Sequence, residues 1–121
     1  MAVTVTRQGK EIAVSISETS VESSTEATID LGVQKFRVMR QLCQLTAGSG
    51  ATVDPILTRT SGGSGINVLL ENDTAAATCD NSVTGGICCF SSDGVIYHKS
   101  APNAGSDNAV STEYAIIVGW E

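Results

Sequence analysis

The amino-acid sequence predicts an all-β fold, a single antiparallel β domain of sandwich, jelly-roll or β-tulip type. Three observations carry that prediction. Val, Ile and Thr, which suit a pleated and half-buried surface, fill 34 of the 121 positions, and Ser with Thr fills 27. Charged residues, the usual cover of helical bundles and coiled coils, make up only 17% of the chain. Short apolar runs recur between clusters of Gly, Ser, Asn and Asp, and at least six of them have the length of a strand. The length bounds the chain to one domain, residues 1–121. A hydrophobic share of 41% is enough to close a core, although few aromatics are present to fill it.

Each element follows from local pattern. Val3 and Val5 alternate with Thr4 and Thr6, residues 7–10 (Arg-Gln-Gly-Lys) read as a turn, and Ile12, Val14 and Ile16 alternate with polar neighbours. This is a hairpin over residues 3–16. Residues 17–28 contain one large apolar side chain, Val21, and read as a polar loop or arm that cannot bury enough surface to order alone. Residues 35–45 fit two patterns. Phe36, Met39, Leu42 and Cys43 lie on one face of a helix, whereas Phe36, Val38 and Leu42 lie on one face of a strand that Arg40 would then share.

Residues 46–54 form a Gly/Ser loop, and Pro55 starts or edges a strand through Ile56 and Leu57. Residues 61–65 (Ser-Gly-Gly-Ser-Gly) are a loop tip, residues 66–70 a short apolar strand, and residues 75–79 a further strand of small residues. A second hairpin is expected over residues 87–98, turning at Asp93-Gly94, because Gly takes positive φ without steric cost. After a polar loop, the last strand spans residues 110–120 with a continuous apolar run over 114–118. A strand apolar on both faces belongs in the middle of a sheet stack or between subunits.

The net charge of −6 argues against a nucleic-acid partner, whose footprint is a basic patch. The charge is unevenly spread. Residues 1–59 hold six basic and six acidic groups, whereas from Thr60 onward Lys99 stands alone against seven carboxylates. Such asymmetry orients a protein on a charged partner surface or marks a solvated acidic face. No apolar stretch approaches the roughly 18 residues of a membrane span, and residues 1–11 lack a signal-type run, so synthesis in a reducing cytosol is expected.

No chemical motif is assembled in the sequence. Cys43, Cys79, Cys88 and Cys89 lack CxxC spacing, and neighbouring Cys88 and Cys89 on a strand would point to opposite faces, so neither a metal nor another cofactor is expected, and the thiols read as buried small hydrophobes, with a disulfide formed after release from the cell as the alternative. The lone His98 follows no nucleophile elbow, and a role as base toward Cys88 or Cys89 would need proximity across the Asp93-Gly94 turn. The Gly-rich residues 61–65 lack the Lys-Ser/Thr of a phosphate loop, and Asp73, Asp80 and Asp93 do not follow calcium-loop spacing. No enzyme is expected.

The segment KFRVMRQLCQLTAGSGATVDPIL and the block FSSDGVIYHKS ending in TEYAIIVGW, after a short hairpin and a polar arm, resemble small structural proteins of tailed bacteriophages, of the capsid decoration or cement type. That resemblance covers most of residues 29–121. It implies a small β-sandwich, jelly-roll or β-tulip that decorates the outside of the head, binds the major capsid protein and assembles as a trimer or dimer. It implies no catalytic residues, no membrane and no cofactor. The chain would be made in the host cytoplasm and reside on the virion. The residues expected at its interfaces are Glu18, Val21, Glu22 and Glu26 of the arm, with Tyr114 and Trp120 near the last strand. The alternatives are a phage tail, connector or head-fibre component, or a carbohydrate-binding β-sandwich that would stack sugars on Tyr97, Tyr114 and Trp120.

Overall fold

The alternating runs become nine strands in a computed structural model that describes residues 2–19, 26–47, 55–71, 78–99 and 109–117. These are β1 (Ala2–Gln8), β2 (Glu11–Thr19), β3 (Glu26–Asp30), β4 (Lys35–Ala47), β5 (Ile56–Thr58), β6 (Val68–Glu71), β7 (Thr78–Phe90), β8 (Val95–Lys99) and β9 (Ala109–Ile117). They form two antiparallel sheets, a five-stranded one in the order β1-β2-β9-β4-β7 and a four-stranded one in the order β3-β8-β5-β6. Together they make the all-β sandwich that the composition predicts.

The first hairpin is as expected. Gln8 pairs with Glu11 around Gly9 and Lys10, and Gly9 takes φ +61°, the left-handed conformation that a two-residue turn demands at its first position. Ile12, Val14 and Ile16 are buried while Ala13, Ser15 and Ser17 are exposed. β9 then inserts between β2 and β4, so its backbone is paired on both sides within the chain. Its apolar run belongs to a central strand, and residues 118–120 lie outside the described residues.

Residues 35–45 are strand, not helix, and a bulge explains why the strand pattern looked imperfect. Val38 pairs with Ile87 but Arg40 pairs with Ser82, so Met39 stands against residues 83–86 of β7, and the register against β9 slips at the same place. One extra residue exchanges the two faces of the strand. Phe36 and Val38 are therefore buried before the bulge, Gln41 and Cys43 after it, and Arg40 stays outside.

The expected hairpin over residues 87–98 is overturned. β7 pairs with β4 in one sheet, whereas β8 pairs with β3 and β5 in the other. Residues 91–94 are an arch from sheet to sheet. A second arch, residues 31–34, runs beside it from β3 to β4. The two are stitched together: Leu31 N–H donates to Gly94 O at 2.8 Å, Ser91 N–H to Gln34 O at 2.9 Å, and Gln34 Nε2 to Ser92 O at 2.6 Å. Gly94 has φ +72°, and a Cβ there would meet the backbone N and O of Val33 at 3.2 Å. The Gly is needed for the close approach as well as for the turn.

Two smaller expectations also change. The stretch 17–28 is strand at both ends, in β2 through Thr19 and in β3 from Glu26, which leaves only residues 20–25 outside the described residues. Residues 66–70 begin as a 3₁₀ turn, Gly65–Asn67, whose Ile66 is 90% exposed, and the strand starts only at Val68. Of residues 75–79, Thr78 and Cys79 open β7 and residues 75–77 are outside the described residues.

A single apolar cluster fills the space between the sheets. Ile12, Val14, Ile16, Phe36, Val38 and Cys89 come from one sheet; Ala27, Ile29, Leu57, Leu69 and Ile96 come from the other, joined by Leu31 of the arch. Burying such side chains stabilises the fold by about 1.5–3 kcal/mol each for the large ones.

Candidate functional site

His98 is a core residue. It lies on the inward face of β8 beside Ile96, in register with Ala27 and Leu57, and is 1% exposed. Burial pushes its pKa down to about 3, so the imidazole is neutral. Because β7 and β8 lie in different sheets, the hairpin that was to bring His98 toward Cys88 and Cys89 does not exist. The two cysteines do take opposite sides of β7: Cys88 is exposed and Cys89 buried. Burial raises the Cys89 thiol above its ordinary value, while the backbone at Val38 and the charge of Arg59 pull the other way. Cys43 is also buried and stands opposite Cys79 across the β4–β7 ladder, so Cys88 departs from the expectation that the thiols are buried.

The three aspartates do separate things. Asp80 receives a two-pronged hydrogen bond from Arg40, at 2.9 and 2.7 Å, which holds its carboxyl below the usual range. Asp93 serves the arch: the Ser91 hydroxyl lies 2.9 Å from its Oδ1 and Val95 N–H donates to that oxygen at 3.1 Å, so its carboxyl is also held low. Asp73 lies outside the described residues. Among the described residues, no three of His, Cys, Asp and Glu gather into a metal-sized cluster.

The expected interface residues are scattered. Glu18 is in β2, its backbone opposite Val110 of β9, and Tyr114 is in β9 opposite Val14 and Gln41. Val21, Glu22 and Trp120 lie outside the described residues. Glu26 starts β3, and its carboxylate is used by its own chain: it accepts hydrogen bonds from the Ser61 hydroxyl and from Gly62 N–H, the latter at 2.7 Å. It therefore pins the Gly-rich loop tip to β3.

What the fold does assemble is a groove of about 370 Å³ that sequence reasoning did not single out. Three cations line it. Lys35 and Arg37 come from exposed positions at the start of β4, and Arg59 follows β5 in the opposite sheet. Its remaining wall is Phe36 with Cys88, Cys89 and Phe90, and Phe90 is 47% exposed. The register explains half of this grouping, since Lys35 pairs with Phe90, Phe36 with Cys89, and Arg37 with Cys88. Arg37 Nη1 donates to Gly85 O at 3.2 Å, and Arg59 is anchored by its backbone N–H to Asn67 O at 2.8 Å. Arg59 Nε is buried and has no hydrogen-bond partner among the described residues. The available signal was the i, i+2 spacing of Lys35 and Arg37, which puts both on one strand face. Nothing in the sequence pointed to Arg59 as the third member.

Comparison with protein-family models and with curated proteins finds no match to this chain.

Proposed function

We propose that the chain is a structural protein of a tailed-phage virion, a capsid decoration protein that works as a closed homo-oligomer and catalyses nothing. The observation that supports this reading best is an open sheet edge on a rigid core. β1 has β2 as its only partner among the described strands, and of its described side chains none is buried, with Val3 36% exposed. Such an edge is a template for pairing with a second chain, and closed oligomers are one common way to cover it. The last strand no longer supports assembly, because β9 is central in its own sheet. The edge takes over that role, and the major capsid protein or a neighbouring copy is its proposed partner. The depth of His98 in the core also favours a binding role over acid–base chemistry.

The test has two arms. Light scattering after size exclusion measures the oligomer, and immunogold labelling locates the chain on particles purified from cells that carry its gene. A dimer or trimer with label on the shell supports the proposal, and Val3→Lys should return the protein to monomer and remove the label. Label confined to tails moves the chain to the tail class. A strictly monomeric chain found on no particle overturns the virion reading. Deleting residues 20–25, rather than the whole of 17–28, tests the arm without cutting into β2 and β3.

A further inference from the structure

We infer that the groove between the start of β4, the end of β7 and the residue after β5 is a binding site for a small organic anion, a phosphate or carboxylate carried on an apolar ring. Three observations carry this. First, Lys35, Arg37 and Arg59 line one groove, and among its described lining residues there is no carboxylate. Second, Arg59 Nε is buried without a hydrogen-bond partner among the described residues. A partly buried guanidinium is favoured by an anion held beside it, so a negatively charged group in the groove would offset its charge without touching the buried Nε itself. Third, the volume of about 370 Å³ falls within the range of small-ligand sites. Phe90, 47% exposed and in register with Lys35, supplies an apolar surface beside the charge for an aryl ring to cover. Arg37 spends one N–H on Gly85 O, which orients its guanidinium and leaves the other donors of the fork for the ligand. This site is independent of the virion proposal and stands or falls without it.

The probe is phenyl phosphate, titrated into the full chain at low salt by calorimetry, with inorganic phosphate, benzoate and phenol as comparisons. Saturable one-to-one binding of phenyl phosphate is expected, with benzoate next, inorganic phosphate weaker and phenol undetectable. Losing one charge-assisted contact in Arg59→Gln or Arg37→Gln should weaken binding about tenfold or more. Phe90→Ser should weaken phenyl phosphate but leave inorganic phosphate unchanged. Lys10→Gln, at the β1–β2 turn and outside the described groove lining, should change nothing beyond general screening. If Arg59→Gln does not fold, Arg37→Gln at an exposed position decides the matter. The inference is overturned if phenyl phosphate fails to saturate, if both arginine variants bind as the parent does, if Lys10→Gln loses as much affinity as they do, or if inorganic phosphate binds as tightly as phenyl phosphate.

Discussion

Residues 3–16 and residues 87–98 carry the same local signal, two apolar runs around a Gly turn, yet they build different things. The first folds back on itself as β1 and β2, paired from Ala2–Ser17 to Gln8–Glu11. The second passes from one sheet to the other, so that β7 and β8 share no ladder. The difference lies in what each turn touches. A Cβ on Gly9 would meet nothing within 4 Å, while one on Gly94 would press on the backbone of Val33. A glycine turn specifies that the chain reverses; whether the flanking strands pair with each other depends on competing partners. β4 captures β7 and β3 captures β8, and the arch of residues 31–34 accepts and donates the hydrogen bonds that a hairpin would have supplied locally.

The largest expected effect breaks the arch from the inside. Leu31 is fully buried where the two arches meet the core, so Leu31→Ala should cost about 3 kcal/mol in urea unfolding. Val3→Ala on the exposed hairpin edge should cost about 0.5 kcal/mol. Equal losses would mean that the arch is no better packed than the hairpin. The paired glycine substitutions come next. Gly94→Ala adds a backbone clash to a positive φ and should cost about 2–3 kcal/mol, against about 1 kcal/mol for Gly9→Ala, where only the φ matters.

The third test asks whether β8 really turns His98 inward. The folded pKa of about 3 lies below the unfolded value of 6.5, so the unfolded chain binds the proton more readily. Stability should be complete above pH 6.5 and fall as the pH drops toward 3, by about 1.4 kcal/mol per unit at most. His98→Leu should flatten that slope. A slope unchanged by the substitution would place His98 at a solvated edge, as a β7–β8 hairpin would have done. The smallest effect is expected on the outer face of the bulged strand. Arg40→Gln removes the exposed pair with Asp80 and should lower the melting temperature by less than Gly9→Ala does, with the difference vanishing in about 1 M salt.

The groove shows the same division as the two turns. Lys35 and Arg37 share a strand face by simple alternation, and that much was legible in the chain once the segment was read as a strand. The bulge at Met39 hid the strand itself, because one inserted residue exchanges the faces and makes Phe36, Met39 and Cys43 look helical. Glu26 illustrates the reverse case. In the sequence it belongs to a polar arm, but in the fold its carboxylate is bound to Ser61 and Gly62, 35 and 36 residues away.

Local pattern alone determined the all-β class, the first hairpin and the approximate position of most strands, since alternation and glycine turns act over a few residues and need no partner. Only the tertiary structure decided which strands pair, that β9 returns to the middle of the first sheet, that residues 91–94 bridge two sheets, and that Arg59 lines one groove with Lys35 and Arg37. These are contests between alternative long-range neighbours. They are settled by the burial of one common core and by the backbone hydrogen bonds that the losing arrangement would leave unmade.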